Sequence, residues 1–435
     1  MVIAQVTPSL ASKNLWRYGP WLLILVAAAA YYARFIRFPA GMQMYPEAAY
    51  CLWHGQMLQS CDLGFTYPPL FAFLMLPFAP MPLWLRDLVW YLVTVGATIG
   101  SFKLAETIAR NAVAVPLNAV ELGWMRFLGL LLSSKLILAV FENQAYDALV
   151  LLVLLAGLAA LSTGRGLWAG AGLALAAALK ATPVIFLPYL LWRRHFVAAA
   201  AFVVVFLGAS LLPDMFFTPA GSADGYFVSW LREVAGAPFG VNPGSIHNAF
   251  WAGTNIMNHS LHGAVSLRID ETTQHALNHA VLYAVDAAFI IVVGTLIVSS
   301  PPGRASIAFD GSLLLISMLM LSPMTSRSHY IAMLLPYLTL LTLNFHDTRA
   351  RMLGRVVLGL SFALVTLSGN DVVGETVTVW AYSHSFIVLG TLVLLIYFAA
   401  LAIERYRQEG FQAGWAAAPA DADAPLDAGA IRPAE

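Results

Sequence analysis

Lys180 lies between two apolar arms in Leu179-Lys-Ala-Thr-Pro183. An ammonium beside hydrocarbon costs about 2.5–3.5 kcal/mol on insertion scales, so it requires an anion or water. Thr182 followed by Pro183 reads as an N-cap and first helical residue. The positive end of that helix would sit beside Lys180 and make an anion site. The plainer reading is a lysine snorkelling to the membrane interface. The run Ser322-Pro-Met-Thr-Ser-Arg-Ser-His-Tyr330 repeats the logic. Ser326 or Ser328 would cap the next helix, with Arg327 and His329 at its mouth. The planar fork of arginine suits phosphate, and an ordinary polar turn is the alternative. Arg86 is either a third cation or the ion-pair partner of Asp87, and the pair is the simpler expectation.

Glu142-Asn-Gln-Ala-Tyr-Asp147 puts two carboxylates and two amides, Asn143 and Gln144, into one short turn. Amides bind sugar hydroxyls and carboxylates accept protons, with plain helix capping as the alternative. Lys135, inside an apolar run, needs an internal partner. Glu142 stands two turns further on, so contact would require bending. His247, His259, His262, His275 and His279 share one loop. His275 and His279 are one helical turn apart, yet no carboxylate or cysteine completes a metal signature. No metal, cofactor or nucleotide-binding loop is therefore expected.

The elements that must position these groups are apolar helices. The 435 residues are 60% hydrophobic and 11% charged, with mean hydropathy +0.75. So few charges do not cover a water-facing surface, since soluble domains carry about 25%. Lys+Arg and Asp+Glu balance at 23 each, so no basic excess points to nucleic acid. The class is an all-α polytopic membrane protein. Twelve candidate spans lie at about 19–33, 83–102, 124–141, 147–162, 167–179, 182–192, 196–213, 280–299, 308–322, 329–344, 355–369 and 384–402. The fifth and sixth are short for a ~30 Å hydrocarbon core and read as arms of one broken hairpin. The stretch 67–82 carries Pro68, Pro69, Pro77, Pro80 and Pro82 and reads as a short or re-entrant helix.

With the N-terminus cytoplasmic, fifteen Lys and Arg fall inside and eight fall outside or within the membrane. This bias predicts both termini inside. Residues 1–18 are then a cytoplasmic N-terminus, 19–407 the transmembrane domain, and 408–435 a disordered Ala/Pro/Asp-rich tail. The first apolar run reads as a retained span, because no secretory cleavage pattern precedes it. The unusual polar segments gather on the outer face: 34–66, Glu142–Asp147, Lys180–Pro183, 214–279, Ser322–Tyr330 and 370–383. A site at the outer membrane boundary follows. Trp230, Trp251 and Trp380 read as interface anchors. Cys51 and Cys61 share the first outer loop, an oxidising compartment, and a disulfide there would contribute roughly 2–3 kcal/mol.

Several segments resemble glycosyltransferase family 87. Phe65-Thr-Tyr-Pro-Pro-Leu-Phe-Ala-Phe-Leu-Met-Leu-Pro-Phe-Ala-Pro-Met-Pro82 resembles the proline-rich segment after its first outer loop. Asn143-Gln-Ala-Tyr-Asp-Ala-Leu149 is similar to its Gly-Gln-x-Asn turn. The segment from Ala169 through Leu179-Lys-Ala-Thr-Pro183 to Trp192-Arg-Arg is similar to its Leu-Lys-x-Thr-Pro element. Leu321-Ser-Pro-Met-Thr-Ser-Arg-Ser-His-Tyr330 resembles its Ser-Pro…His-Tyr element. The resemblance implies a GT-C-like fold and transfer of a sugar, typically mannose, from a polyprenyl-phosphate donor. The acceptor would be lipid-linked or part of the envelope, and the chemistry extracytoplasmic, in the plasma (inner) membrane.

In that reading Lys180, Arg327, His329 and Arg86 bind the donor phosphate, and a carboxylate deprotonates the acceptor. Tyr45, Tyr67, Glu142, Asn143 and Gln144 are candidates for acceptor or sugar binding. The family's proposed base is an aspartate in a segment like Asp-Leu-x-Val-Tyr. Here the stretch is Gly41-Met-Gln-Met-Tyr45, so the base is expected at Glu47, with Asp62 and Asp147 behind it. A transporter or flippase for a lipid-linked sugar is the alternative, as are a non-catalytic paralogue and a structural membrane subunit. A transporter would line a midplane pathway with ionisable groups. Gathering at one face favours the enzyme.

Overall fold

The structure is a computed structural model that describes residues 10–37, 40–61, 65–113, 115–235, 253–270, 273–300, 303–346 and 351–409. The described residues are all-α, with no strand among them. In chain order the helices are α1 Leu10–Phe35, α2 Ala40–Trp53, α3 Pro69–Leu74, α4 Leu83–Arg110, α5 Ala119–Glu142 and α6 Asp147–Ser162. There follow α7 Gly166–Leu179, α8 Phe186–Trp192, α9 Phe196–Leu211, α10 Tyr226–Trp230, α11 Leu261–Ser266 and α12 His275–Ser299. The series closes with α13 Arg304–Met320, α14 Leu334–His346, α15 Arg351–Ser361, α16 Asn370–Ser383 and α17 Phe386–Glu409. Each of the twelve expected segments falls on a helix. Among the described residues four helices are long and apolar enough to cross a membrane, five counting one bent pair, and five more are apolar but shorter. Helix α1 starts at Leu10, well before residue 19, and the tail beyond Glu409 lies outside the described residues.

The proline-rich stretch folds as the short α3, the 3-10 turn Leu76–Phe78 and the start of α4. Prolines at its helix starts remove only donors that have no partner there. The segment 370–383, expected as an outer loop, is instead helix α16. It meets Met352–Thr366 at an 81° bend. Cys51, near the end of α2, and Cys61 are joined as a disulfide.

Helix α5 starts with a reciprocal cap. The Asn118 side chain accepts from the Val120 and Glu121 N–H groups, while Glu121 accepts from the Asn118 N–H. More decisive for function is the packing of α6, α7 and α9. A Cβ on Gly172 would stand 2.9 Å from the Gly157 Cα, and one on Gly170 would stand 2.1 Å from the Ala198 carbonyl oxygen. Only glycine permits that approach, and small residues at such crossings let apolar helices pack backbone to backbone. Helices α6 and α7 form a tight antiparallel hairpin. The start of α6 and the end of α7 therefore lie side by side.

Candidate active site

That hairpin decides the site. Asp147 opens α6 and Lys180 caps α7, and the Lys180 Nζ donates to Asp147 Oδ1 at 2.6 Å. His329 Nε2 lies 3.9 Å from the same oxygen. Its Nδ1 accepts the Ser326 N–H at 3.3 Å, so the neutral ring carries its proton on Nε2 and turns it toward Asp147. The Ser328 hydroxyl, 3.0 Å from that of Ser326, lies beside the same carboxylate. Three segments that resemble family elements thus converge on one oxygen atom. Thr182 is not the cap expected of it. Ala181 holds the N-cap position and a 3-10 turn, Thr182–Ile185, leads into α8. Thr182 lines a cavity instead.

Aromatic rings form one wall of the centre. The Tyr146 ring stacks on Phe71 at 4.2 Å, takes the edge of Tyr67 at 4.7 Å, and lies 5.9 Å from the Lys180 ammonium. Tyr45 is buried against Tyr67, Phe71 and Tyr146. Tyr67 lies within electrostatic reach of Asp147. A cavity of about 30 Å³ opens beside the ion pair. Asp147, Lys180, Thr182 and His329 are among its polar lining, and Leu151 and Leu154 of α6 with Leu315 and Leu319 of α13 line its apolar part.

Arg327, expected beside Lys180, belongs to a second polar group. Lys135 donates to Glu142 Oε1 at 3.2 Å and also to Asp371 Oδ2. Arg34 Nη2 stands 3.3 Å from Glu142 Oε1 and 3.8 Å from Asp371 Oδ1, and the Tyr31 hydroxyl donates to Glu142 at 2.8 Å. Arg327 lies within electrostatic reach of both carboxylates, with its guanidinium 5.2 Å from the Tyr382 ring centre. Lys135 reaches Glu142 along an unbroken α5, because the two side chains together span the two turns. Asp371 and Arg34 had no signal in the sequence beyond their outer-face position, and Tyr31 fell inside the first apolar run, 19–33.

Other candidates are taken up by structure. Gln144 is fully buried, with the backbone in the left-handed region at φ +49°. Its amide nitrogen donates to Phe35 O at 3.1 Å and to Asp87 Oδ1 at 3.2 Å, and its amide oxygen accepts the Met42 N–H at 2.8 Å. Its backbone oxygen accepts the Trp90 indole N–H. Gln144 therefore ties α1, α2 and α4 together and has no amide group left for a sugar. Gly41 packs on it: a Cβ there would stand 2.7 Å from Gln144 O. The position where the family is expected to carry an aspartate is closed to any side chain here.

Asn143 is exposed and bonds back to Ala139 O. Arg86 donates to Met81 O and Ala79 O, fastening the proline-rich segment, while Asp87 turns to Gln144. Glu47 is half-buried on α2, and Asp62 lies outside the described residues. Trp230, expected as an interface anchor, is buried with its N–H on Thr66 O; Trp380 is half-exposed, and Trp251 and His247 lie outside the described residues. His275 and His279 stack at 4.1 Å, and no metal-holding group of side chains occurs among the described residues.

The profile of glycosyltransferase family 87 matches residues 65–323, more than half of the chain. The chain belongs to glycosyltransferase family 87. The resemblance read from the motifs is borne out. Asp147 and Lys180 fall inside the matched residues of this family 87 member. One curated relative is a polyprenol-phosphate-mannose-dependent alpha-(1-2)-phosphatidylinositol pentamannoside mannosyltransferase of Mycobacterium tuberculosis (strain CDC 1551 / Oshkosh), 29% identical over 171 residues. That match covers 39% of this chain and 38% of the relative, so it spans well under half of either protein. Among solved structures, ArnT from Cupriavidus metallidurans bound to undecaprenyl phosphate aligns at TM-score 0.39 and 13% identity, over 90% of this chain and 79% of that one.

Proposed function

We propose that this family 87 member transfers a hexosyl unit, mannose first, from a polyprenyl-phosphate donor to a lipid-linked or envelope acceptor. The reaction belongs to the extracytoplasmic face of the plasma (inner) membrane, with both termini cytoplasmic. The observation that carries this reading is the cavity at Asp147, Lys180 and His329. It joins charged donors and acceptors to an aliphatic wall between α6 and α13. A polyprenyl phosphate has the same two-part character, an anion followed at once by a branched hydrocarbon.

The chemistry then follows from the residues. The acceptor oxygen forms a bond to the anomeric carbon as the bond from that carbon to the phosphate oxygen breaks, with inversion. Lys180 has two further ammonium protons beyond the one given to Asp147, and these, with His329 Nε2–H, stabilise the leaving phosphate. The acceptor proton passes to a carboxylate. Asp147 is the carboxylate at the centre, and Glu47 and Asp62 are the remaining candidates. Arrival of the phosphate draws Lys180 away from Asp147 and makes that carboxylate more basic, since an opposite charge favours the ionised form and its loss the reverse.

The test is transfer of labelled mannose from polyprenyl-phosphate mannose to a host lipid extract by the purified chain in nanodiscs. Wild-type transfer that disappears in Asp147→Asn and persists in Glu47→Gln supports the assignment. Full turnover by Asp147→Asn removes Asp147 as the base. Donor binding with no transfer to any acceptor, using several polyprenyl-linked sugars, would turn the reading toward a carrier of lipid-linked sugars.

A further inference from the structure

A glycosyltransferase brings two substrates to one point, and the outer end of this molecule holds two charged centres. The second one is made of Arg34, Lys135, Arg327, Glu142 and Asp371, contributed by α1, α5, the 3-10 turn Arg327–Met333 and α16. We propose that this second centre binds the anionic head group of the lipid acceptor, a phosphodiester carrying hydroxyls, and that Arg327 is its phosphate-gripping residue. The word acceptor rests on the function proposed above; the anion site itself does not.

Charge is the first observation. Arg34 and Lys135 pair with Glu142 and Asp371, and Arg327, bonded to Ser368 just ahead of α16, adds a third positive charge beyond those pairs. The second observation is the state of Arg327. Its hydrogen bond among the described residues is a long one, Nη2 to the Ser368 hydroxyl at 3.5 Å. Its Nε is buried with no hydrogen-bond partner. An arginine carries five N–H donors in a planar fork. Leaving a buried one unmade costs more than a surface donor would, so native proteins rarely do so without a ligand or strain to account for it. Here the plane is held: one face lies toward the Tyr382 ring, and Nη1 stands 2.5 Å from where a Cβ on Gly369 would be. A fixed and under-used guanidinium is preorganised for a bidentate anion.

Access and chemistry agree. The Arg34 side chain is 50% exposed and that of Asp371 43%, whereas the Lys180 and Asp147 side chains are only 14% and 8% exposed. The second centre is therefore open at its Arg34 and Asp371 end, while its Lys135 and Glu142 side chains, 10% and 20% exposed, are enclosed much as the first centre is. Glu142 and Asp371 supply acceptor oxygens for hydroxyl donors, which fits a polyol head group better than a bare phosphate. Arg327 and His329 are two residues apart on one 3-10 turn, so the two centres stand on the order of 5–10 Å apart, with a 3-10 rise of ~2 Å per residue plus side-chain reach. Substrates held there meet across a single sugar.

Titration calorimetry on the full-length chain in detergent tests this with two probes, short-chain dihexanoyl phosphatidylinositol and a short polyprenyl monophosphate. Dihexanoyl phosphatidylcholine, whose zwitterionic head carries a phosphodiester but no net charge and no hydroxyls, serves as the control. Arg327→Ala should weaken phosphatidylinositol binding at least tenfold and leave the polyprenyl monophosphate within twofold. Lys180→Met should do the reverse. If Arg327→Ala fails to fold, Arg327→Lys replaces it; loss of the fork with the charge kept should still weaken the diester several-fold. Phosphatidylinositol affinity unchanged in the folded variant would show that the group only ties α16 to α5, and overturns the proposal. Equal loss of both probes in Arg327→Ala would mean one site, and overturns it too. Failure of the donor reading looks different: wild type would not bind the polyprenyl monophosphate, while the effect of Arg327 on phosphatidylinositol would stand.

Discussion

Two buried ion pairs in this protein share a donor–acceptor distance of 2.6 Å and little else. Lys180 meets Asp147 at the cavity, and Arg193 meets Asp310 where the ends of α8, α12 and the start of α13 come together. Arg193 has four of its five N–H donors engaged. Its Nε and Nη2 both reach Asp310 Oδ2, Nη1 donates to Ser300 O, and Nη2 donates also to Ile297 O. It closes the C-terminal end of α12, whose last carbonyls lack helical partners. Lys180 gives one hydrogen bond to Asp147 and faces a cavity with the rest of its ammonium. A buried charge pair is thus no sign of function by itself. What separates a structural clamp from a binding site is the donor capacity left over and whether a space adjoins it.

The sharpest way to break this comparison is to replace each pair by apolar residues. Removing one partner of a buried pair leaves an uncompensated charge and costs about 3–5 kcal/mol, while replacing both is often close to neutral. Arg193→Ala should therefore lower thermal stability in detergent severely. Arg193→Met with Asp310→Leu should recover most of that loss and retain transfer per folded molecule. A stable Arg193→Ala protein would show that the clamp is dispensable and that the two pairs do not differ as argued.

At the cavity the same double replacement, Lys180→Met with Asp147→Leu, should also fold. Transfer should still fall by at least roughly 10²–10³-fold, the range for removing one preorganised donor to a developing anion, because the proposed base is lost as well. Turnover near wild type in a folded double variant would move the phosphate site elsewhere. A smaller effect is expected at Gly41. Gly41→Asp forces a side chain into Gln144, and overpacking of this kind costs about 1–3 kcal/mol. It should lower stability without raising transfer. A gain in activity would mean that the family's aspartate position works in this chain after all.

Much of the scaffold was legible from the chain alone, because apolar runs bounded by charges or turn residues end where helices end. The stretch 147–162 is helix α6 with those same bounds. Residues 370–383 misled because Val372, Val373, Thr376, Val377, Thr378 and Val379 are β-branched, and such residues lose side-chain freedom in a helix. Gly374, at φ +77°, interrupts the helix within the same stretch. Lys180, Asp147 and His329 each stood out as polar groups at an apolar boundary. Their convergence did not, since it depends on the backbone contact of Gly157 with Gly172, which no local pattern marks as a crossing. Arg327 was grouped with Lys180 because cations were expected to share one phosphate. The 3-10 turn sets successive side chains about 120° apart, so Arg327 and His329 point in different directions and Arg327 goes to the other centre.

That separation leads to the mildest and most selective perturbation. Gly369 precedes α16 at its N-cap, in an extended conformation open to any residue, with φ −89° and ψ 151°. Alanine there meets no backbone strain. Its Cβ would stand 2.5 Å from Arg327 Nη1 and 3.2 Å from both Cζ and Nη2, so the guanidinium must move while the backbone need not. Gly369 is buried, so the stability cost is set by how readily the guanidinium shifts, with the roughly 1–3 kcal/mol of overpacking as its upper end. Binding of the anionic lipid head group should weaken a few-fold, because a displaced fork loses its bidentate geometry. Binding at Lys180 should not change. Loss of affinity at both centres after so small a change would show that the Ser326–His329 turn moves as one rigid unit, and that the two centres, separate in contacts, are coupled in position.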